Sequence, residues 1–89
     1  MSGAVAVTVK LFASVREAAG VGSCELRLPA DSSLEDLFRA LRERFPQLGE
    51  ALVGIGVAVN KRYVSKDGLA RHTLRDGDEV ELIPPISGG

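Results

Sequence analysis

The sequence predicts an α+β domain in which one main helix packs across one face of a mixed, four- to five-stranded sheet. Three observations carry that expectation. Short segments alternate apolar and polar residues, as half-buried strands do. Only Leu34 to Phe45 repeats apolar residues at helical spacing over several turns. The segments run strand, strand, helix, strand, short strand, strand, and one helix can cover only one face of such a sheet.

Val5, Val7, Val9 and Leu11 alternate with Ala6, Thr8, Lys10 and Phe12, which makes a first strand with its odd positions inward. Phe12 falls on the outer face. Ala13 to Ser23 fits a helical turn followed by a reversal at Gly20 and Gly22. Cys24, Leu26 and Leu28 then alternate with Glu25 and Arg27, a second strand that pairs with the first as a hairpin and stops at Pro29.

In the helix, Leu34, Leu37, Phe38, Leu41 and Phe45 form one apolar stripe. Ser32 and Glu35 have the spacing of a capping box. Glu35 and Asp36 near the start, with Arg42 and Arg44 near the end, suit the helix dipole. Glu35 and Arg39 are spaced to pair at i, i+4. Pro46 marks the stop.

Gln47 to Gly56 reads as a connection with a short helical turn through Leu48 and Leu52. Val57 and Val59 resume the alternation, Asn60-Lys61 makes a tight turn, and Arg62-Tyr63-Val64 returns as a short strand. Ser65 to Gly68 and Arg75 to Asp78 are turns. Glu79 to Ile83 is the last strand, with Val80 and Leu82 inward and Glu79, Glu81 and Ile83 outward. This valine-containing strand is expected beside the first, in the middle of the sheet. Phe12 and Ile83 then become neighbours on the open face, with Tyr63 nearby, and an apolar patch rimmed by charge points to a partner.

Composition narrows the function. The 89 residues fit one domain, taken as residues 1–86 with 87–89 as a flexible tail. Eleven basic and twelve acidic residues leave a net charge of −1, which argues against nucleic-acid binding. No apolar run approaches the ~18 residues of a membrane span. Met1-Ser2-Gly3-Ala4 lacks the features of a signal peptide, so a cytoplasmic location is expected. One cysteine, Cys24, and one histidine, His72, exclude an internal disulfide and give no basis for a metal site. Cys24 reads as a small buried hydrophobe and His72 as solvated. Without a nucleophile–base pair, metal or bound cofactor, independent catalysis is not expected.

The reactive feature is the end of the chain. Pro84 and Pro85 fix φ and donate no hydrogen bonds, so the backbone stays extended but leaves the sheet. Ile86 and Ser87 lead to Gly88 and Gly89, which fit a narrow channel because they carry no side chains. The α-carboxylate of Gly89 is thus the most accessible reactive group.

Three segments carry a resemblance: Leu11-Phe12-Ala13 with Arg16-Glu17 and Gly20; Val57-Ala58-Val59-Asn60 with Tyr63-Val64; and Leu74 through Gly89, containing Asp-Gly-Asp-Glu-Val and Pro-Pro-Ile-Ser-Gly-Gly. With these the chain resembles the small sulfur-carrier subunits of molybdopterin synthase, which are ubiquitin-like β-grasp proteins. The resemblance implies that Gly89 is adenylated by a ubiquitin-activating-like adenylyltransferase using ATP. A sulfur donor protein then converts it to a thiocarboxylate. It also implies that Pro84 to Gly88 insert as an arm into the large subunit of the synthase. There the sulfur passes to a cyclic pyranopterin precursor and builds the dithiolene. Phe12, Tyr63 and Ile83, with Arg16 beside them, match the surface that docks these partners. A heterotetramer with two large subunits follows from the same resemblance. A carrier for thiamine, cysteine or tRNA thiolation uses the same tail, and a ubiquitin-like modifier would join Gly89 to lysines of target proteins.

Overall fold

The computed structural model of the chain describes residues 3–85. Met1, Ser2 and the tail residues Ile86, Ser87, Gly88 and Gly89 lie outside the described residues, as does the proposed boundary at 86/87.

Strand β1 (Ala4–Leu11) buries Val7, Val9 and Leu11 completely or nearly so, as its alternation requires. Phe12 then leaves the strand, and helix α1 (Ala13–Ala19) follows at once. It ends at Gly20, whose φ of 82° is the left-handed geometry that glycine tolerates. Strand β2 (Ser23–Pro29) returns antiparallel to β1, from Ala4 opposite Pro29 to Lys10 opposite Ser23. The two strands are therefore joined through a helix rather than a tight hairpin turn.

Helix α2 (Leu34–Arg44) buries Leu34, Leu37, Phe38 and Leu41, with Phe45 packing partly buried behind them. The capping box is one residue later than the spacing of Ser32 and Glu35 predicts. The Ser33 hydroxyl accepts from the Asp36 N–H at 3.2 Å, and the Asp36 carboxylate accepts from the Ser33 N–H at 2.9 Å. Burial decides between the two frames: Leu34 is fully buried and starts the helix, while Ser32 is itself buried and donates its hydroxyl to the Pro29 carbonyl at 2.6 Å. The pairing shifts with the cap. Arg39 meets Asp36 at 3.4 Å, in place of the expected partner Glu35.

A 3-10 segment (Pro46–Leu52), kinked at Gly49, buries Leu48 and Leu52 against the helices. Strands β3 (Gly56–Val59) and β4 (Arg62–Val64) form a hairpin through Asn60 and Lys61, both left-handed at φ 51° and 73°. Such a two-residue turn matches the twist of the strands it joins. A second short 3-10 turn (Lys66–Gly68) follows, and strand β5 (Glu79–Ile83) ends the sheet with Val80 and Leu82 fully buried.

The strand order is β2-β1-β5-β3-β4. β5 runs parallel to β1 and antiparallel to β3, so the first and last strands share the centre. Both helices and the inward side chains form one aliphatic core on one face of this sheet. That is the ubiquitin-like β-grasp arrangement. Among the described residues, no helix is long and apolar enough to cross a membrane.

Candidate functional site

The open face of the sheet, where β5 ends, is the candidate site. Its rows follow from the strand register. Leu11 pairs with Leu82, the last pair of these parallel strands, and Phe12 and Ile83 are the residues that follow it. Ile83 in turn sits opposite Gly56 of β3. A Cβ at Gly56 would lie 3.2 Å from the Ile83 carbonyl oxygen, so this position keeps the end of β5 tightly held. Phe12 is 40% exposed and Ile83 is half-buried beside it.

Tyr63 lies on the same face but not against Ile83. It pairs with Ala58, which pairs with Glu81, so two strand spacings separate it from β5. Its side chain is 77% exposed. Between Tyr63 and Ile83 the floor consists of Gly56 and Ala58. Ala58 faces outward by phase yet is only 3% exposed, flanked by Tyr63 on β4 and Glu81 on β5.

Charge rims this face. Lys10 meets Glu79 at 3.2 Å, and Lys61 reaches Glu81 at 3.4 Å and Glu79 at 3.9 Å. Partly exposed pairs of this kind contribute roughly 0–1 kcal/mol each, so they shape the face more than they stabilise it. Arg16 stands one helical turn beyond Phe12, its N–H donating to the Phe12 carbonyl at 3.3 Å and its guanidinium lying over Gly22. The structure therefore brings Phe12, Arg16 and Ile83 to one end of the face and sets Tyr63 two strand spacings from β5. Pro84 is half-buried as it leaves β5 and Pro85 is exposed.

Two residues that position this site escaped the sequence reading. Asn60 accepts from the Glu79 N–H through its side-chain oxygen at 2.9 Å, donates its side-chain N–H to the Asp78 carboxylate at 2.9 Å, and donates its backbone N–H to the Glu79 carbonyl at 2.8 Å. Asp78 also accepts from the Arg75 N–H at 2.8 Å. Together they lock the start of β5 to the β3–β4 turn. Their signal was present in Asn60-Lys61 and in the Asp-Gly-Asp run, which looked only like turn chemistry.

Cys24 faces the core and is partly buried; burial pushes its thiol up, opposed by the nearby Arg44 charge. A thiol held protonated is a poor nucleophile. Among the described residues no cluster of three or more His, Cys, Asp or Glu is placed to hold a metal ion. What the described site offers is a partly exposed apolar face at the end of β5, next to Pro84 and Pro85.

Residues 9–89 match the sequence profile of the ThiS family. The molybdopterin synthase sulfur carrier subunit of Dictyostelium discoideum is 38% identical over 82 residues, covering 91% of this chain and 93% of that protein. Among solved structures, SAMP1 from Haloferax volcanii superposes with a TM-score of 0.83 at 29% identity, covering 94% of this chain and 99% of that one. A chain from the complex of subunits 1 and 2 of the molybdopterin-converting factor of Helicobacter pylori gives a TM-score of 0.68 at 26% identity, covering 96% of this chain and all of that one (100%).

Proposed function

The chain belongs to the ThiS family, and from that premise we propose that it is a sulfur carrier of molybdenum cofactor biosynthesis, the small subunit of a molybdopterin synthase. The observation that carries this reading is the pairing of Leu11 with Leu82 at the end of the two central strands, which leaves Phe12 and Ile83 as the next residues where Pro84 follows β5. The proposal takes the apolar face as the surface that partners grip and the residues from Pro84 onward as the arm. The likeness to a molybdopterin synthase sulfur carrier subunit and to a chain of a two-subunit molybdopterin-converting factor supports it.

The chemistry belongs to Gly89. Its carboxylate, with a pKa of roughly 3.5, is ionised at neutral pH and a poor acyl donor. On a ubiquitin-activating-like adenylyltransferase it attacks the α-phosphorus of ATP, pyrophosphate leaves, and a mixed anhydride with AMP forms. Sulfur delivered at the sulfide level by a donor protein attacks the carbonyl carbon. AMP leaves with the bonding electrons, and a thiocarboxylate remains. In the large subunit that sulfur is transferred to the cyclic pyranopterin precursor, and water restores the carboxylate. Two such transfers complete the dithiolene. The catalytic residues of that step are assigned to the large subunit. Ile86 to Gly89 span roughly 13 Å when extended, enough to enter a buried pocket.

Intact-mass measurement tests the proposal. Incubation with the adenylyltransferase, ATP and a sulfur source is expected to exchange one oxygen for sulfur at the C-terminus. Deleting Gly89 abolishes the exchange and molybdopterin formation while the thermal unfolding transition persists. If the intact chain acquires no sulfur, the proposal fails. The likeness to SAMP1, a small archaeal modifier protein, favours a second reading as a protein modifier. It predicts isopeptide adducts that end in Gly89 on target lysines. A carrier for another thiolation pathway would acquire sulfur but make no molybdopterin with the large subunit and precursor.

A further inference from the structure

A second surface lies on the opposite side of the sheet. The C-terminal half of α2, the segment after Leu52 and the free edge of β4 enclose an open cleft of about 460 Å³. Phe38, Leu52, Val64 and Leu69 supply its apolar walls. Val53 stands at its mouth and is 75% exposed, a large aliphatic side chain left in water. Among the described residues, Arg42 and Lys66 are the only charged ones lining the cleft, and both are cationic. Neither has a carboxylate partner among the described residues, as is true of most of the basic residues, so both charges are available to a ligand in the cleft.

The edge beside the cleft is open as well. β4 pairs with β3 and with no other described strand. Across a two-residue hairpin, Val59 and Arg62 form the hydrogen-bonded pair, so the next pair, Ala58 and Tyr63, does not exchange bonds. The N–H and C=O of Tyr63 therefore point away from the sheet. A strand laid along β4 would take those bonds and extend the sheet over the cleft. Its alternate side chains would drop onto Phe38, Val64 and Leu69, because side chains alternate between faces.

We infer that this cleft is a docking site for an extended peptide segment of a partner protein, with alternating aliphatic side chains and flanking carboxylates. The apolar walls take the aliphatic side chains. The unpaired Arg42 and Lys66 select acidic flanks over basic ones. The site is on the helix side of the sheet, so its partner and the one that grips Phe12 and Ile83 can bind together.

The test is an amide NMR titration of the full-length chain with a capped synthetic peptide of alternating isoleucine and glutamate. A matched peptide carrying lysine in place of glutamate is the control. Expected are shifts centred on Tyr63, Val64 and Leu69. The lysine peptide and the double variant Arg42→Glu/Lys66→Glu should each bind about tenfold more weakly or worse. Both substitutions are on exposed side chains, and a retained wild-type spectrum verifies folding. The inference is overturned by the absence of shifts at millimolar peptide, by shifts centred on Phe12 and Ile83, or by equal binding of the lysine peptide. Displacement of the peptide by dodecanoate with no response at the Tyr63 amide would also overturn it, making the cleft a small-molecule pocket.

Discussion

Asn60 shows how much one side chain can decide. It takes a left-handed conformation, holds the first amide of β5 and anchors the Asp78 carboxylate. Asn60→Ala removes these bonds and places a Cβ-bearing apolar residue at positive φ, and is expected to cost about 2 kcal/mol in chemical denaturation. Asn60→Gly relieves the backbone but not the bonds, so it should fall between the two. At this scale the sequence was legible where chemistry is local. Proline could be read as the end of β5. The role of Asn60 was not legible, because its partners lie 18 and 19 positions away. Ala58 was likewise hidden: its phase says outward, and only the neighbours on adjacent strands make it buried.

At the level of elements, the cap of α2 has a pH signature. The Ser33 backbone N–H, and after it the Ser33 hydroxyl, hold the Asp36 carboxyl below the usual carboxylate range, with Arg39 adding to the effect. The folded-state value is depressed, so the cap's contribution is present above the unfolded carboxylate range and is lost as pH falls through the lowered value. Thermal melts of the wild type and Asp36→Asn should differ near neutrality and converge toward pH ~2. The β3–β4 turn has an opposite defect. Lys61 sits at φ 73°, a strained conformation for a residue with a Cβ. Lys61→Gly is expected to raise stability by about 0.5 kcal/mol despite losing exposed ion pairs, read from the denaturation midpoint. Element type was the most legible property of the chain, since the stripe of α2 and the alternation of β1 and β5 depend on nearby residues. Element boundaries were less so. Ser32/Glu35 and Ser33/Asp36 both satisfy a cap pattern, and the core chose between them by burying Leu34.

For the molecule as a whole, the proposed function makes the face at Ile83 a docking surface. Ile83→Asp should then weaken binding of the proposed partners, the large subunit and the adenylyltransferase, by tenfold or more, measured by calorimetry, with a smaller effect on melting. Arg27→Glu, on an exposed β2 position away from the tail exit, is the control and should change neither. The adjacency of first and last strands could be anticipated from their composition, and it brought the ends of β1 and β5 together at Leu11 and Leu82. The outer ranks of the sheet and the cleft beside β4 could not, because they exist only once distant segments are brought together. That central pairing of β1 with β5 also governs how the molecule is made. A growing chain can form α1, β2 and α2 early, but Val7, Val9 and Leu11 find their second flank only when Val80 and Leu82 have been synthesised. Contacts of such sequence separation are slow to form. A chain interrupted before β5 leaves its core open to proteases and chaperones, so the population that survives to fold is the one whose synthesis has reached the threshold of the tail.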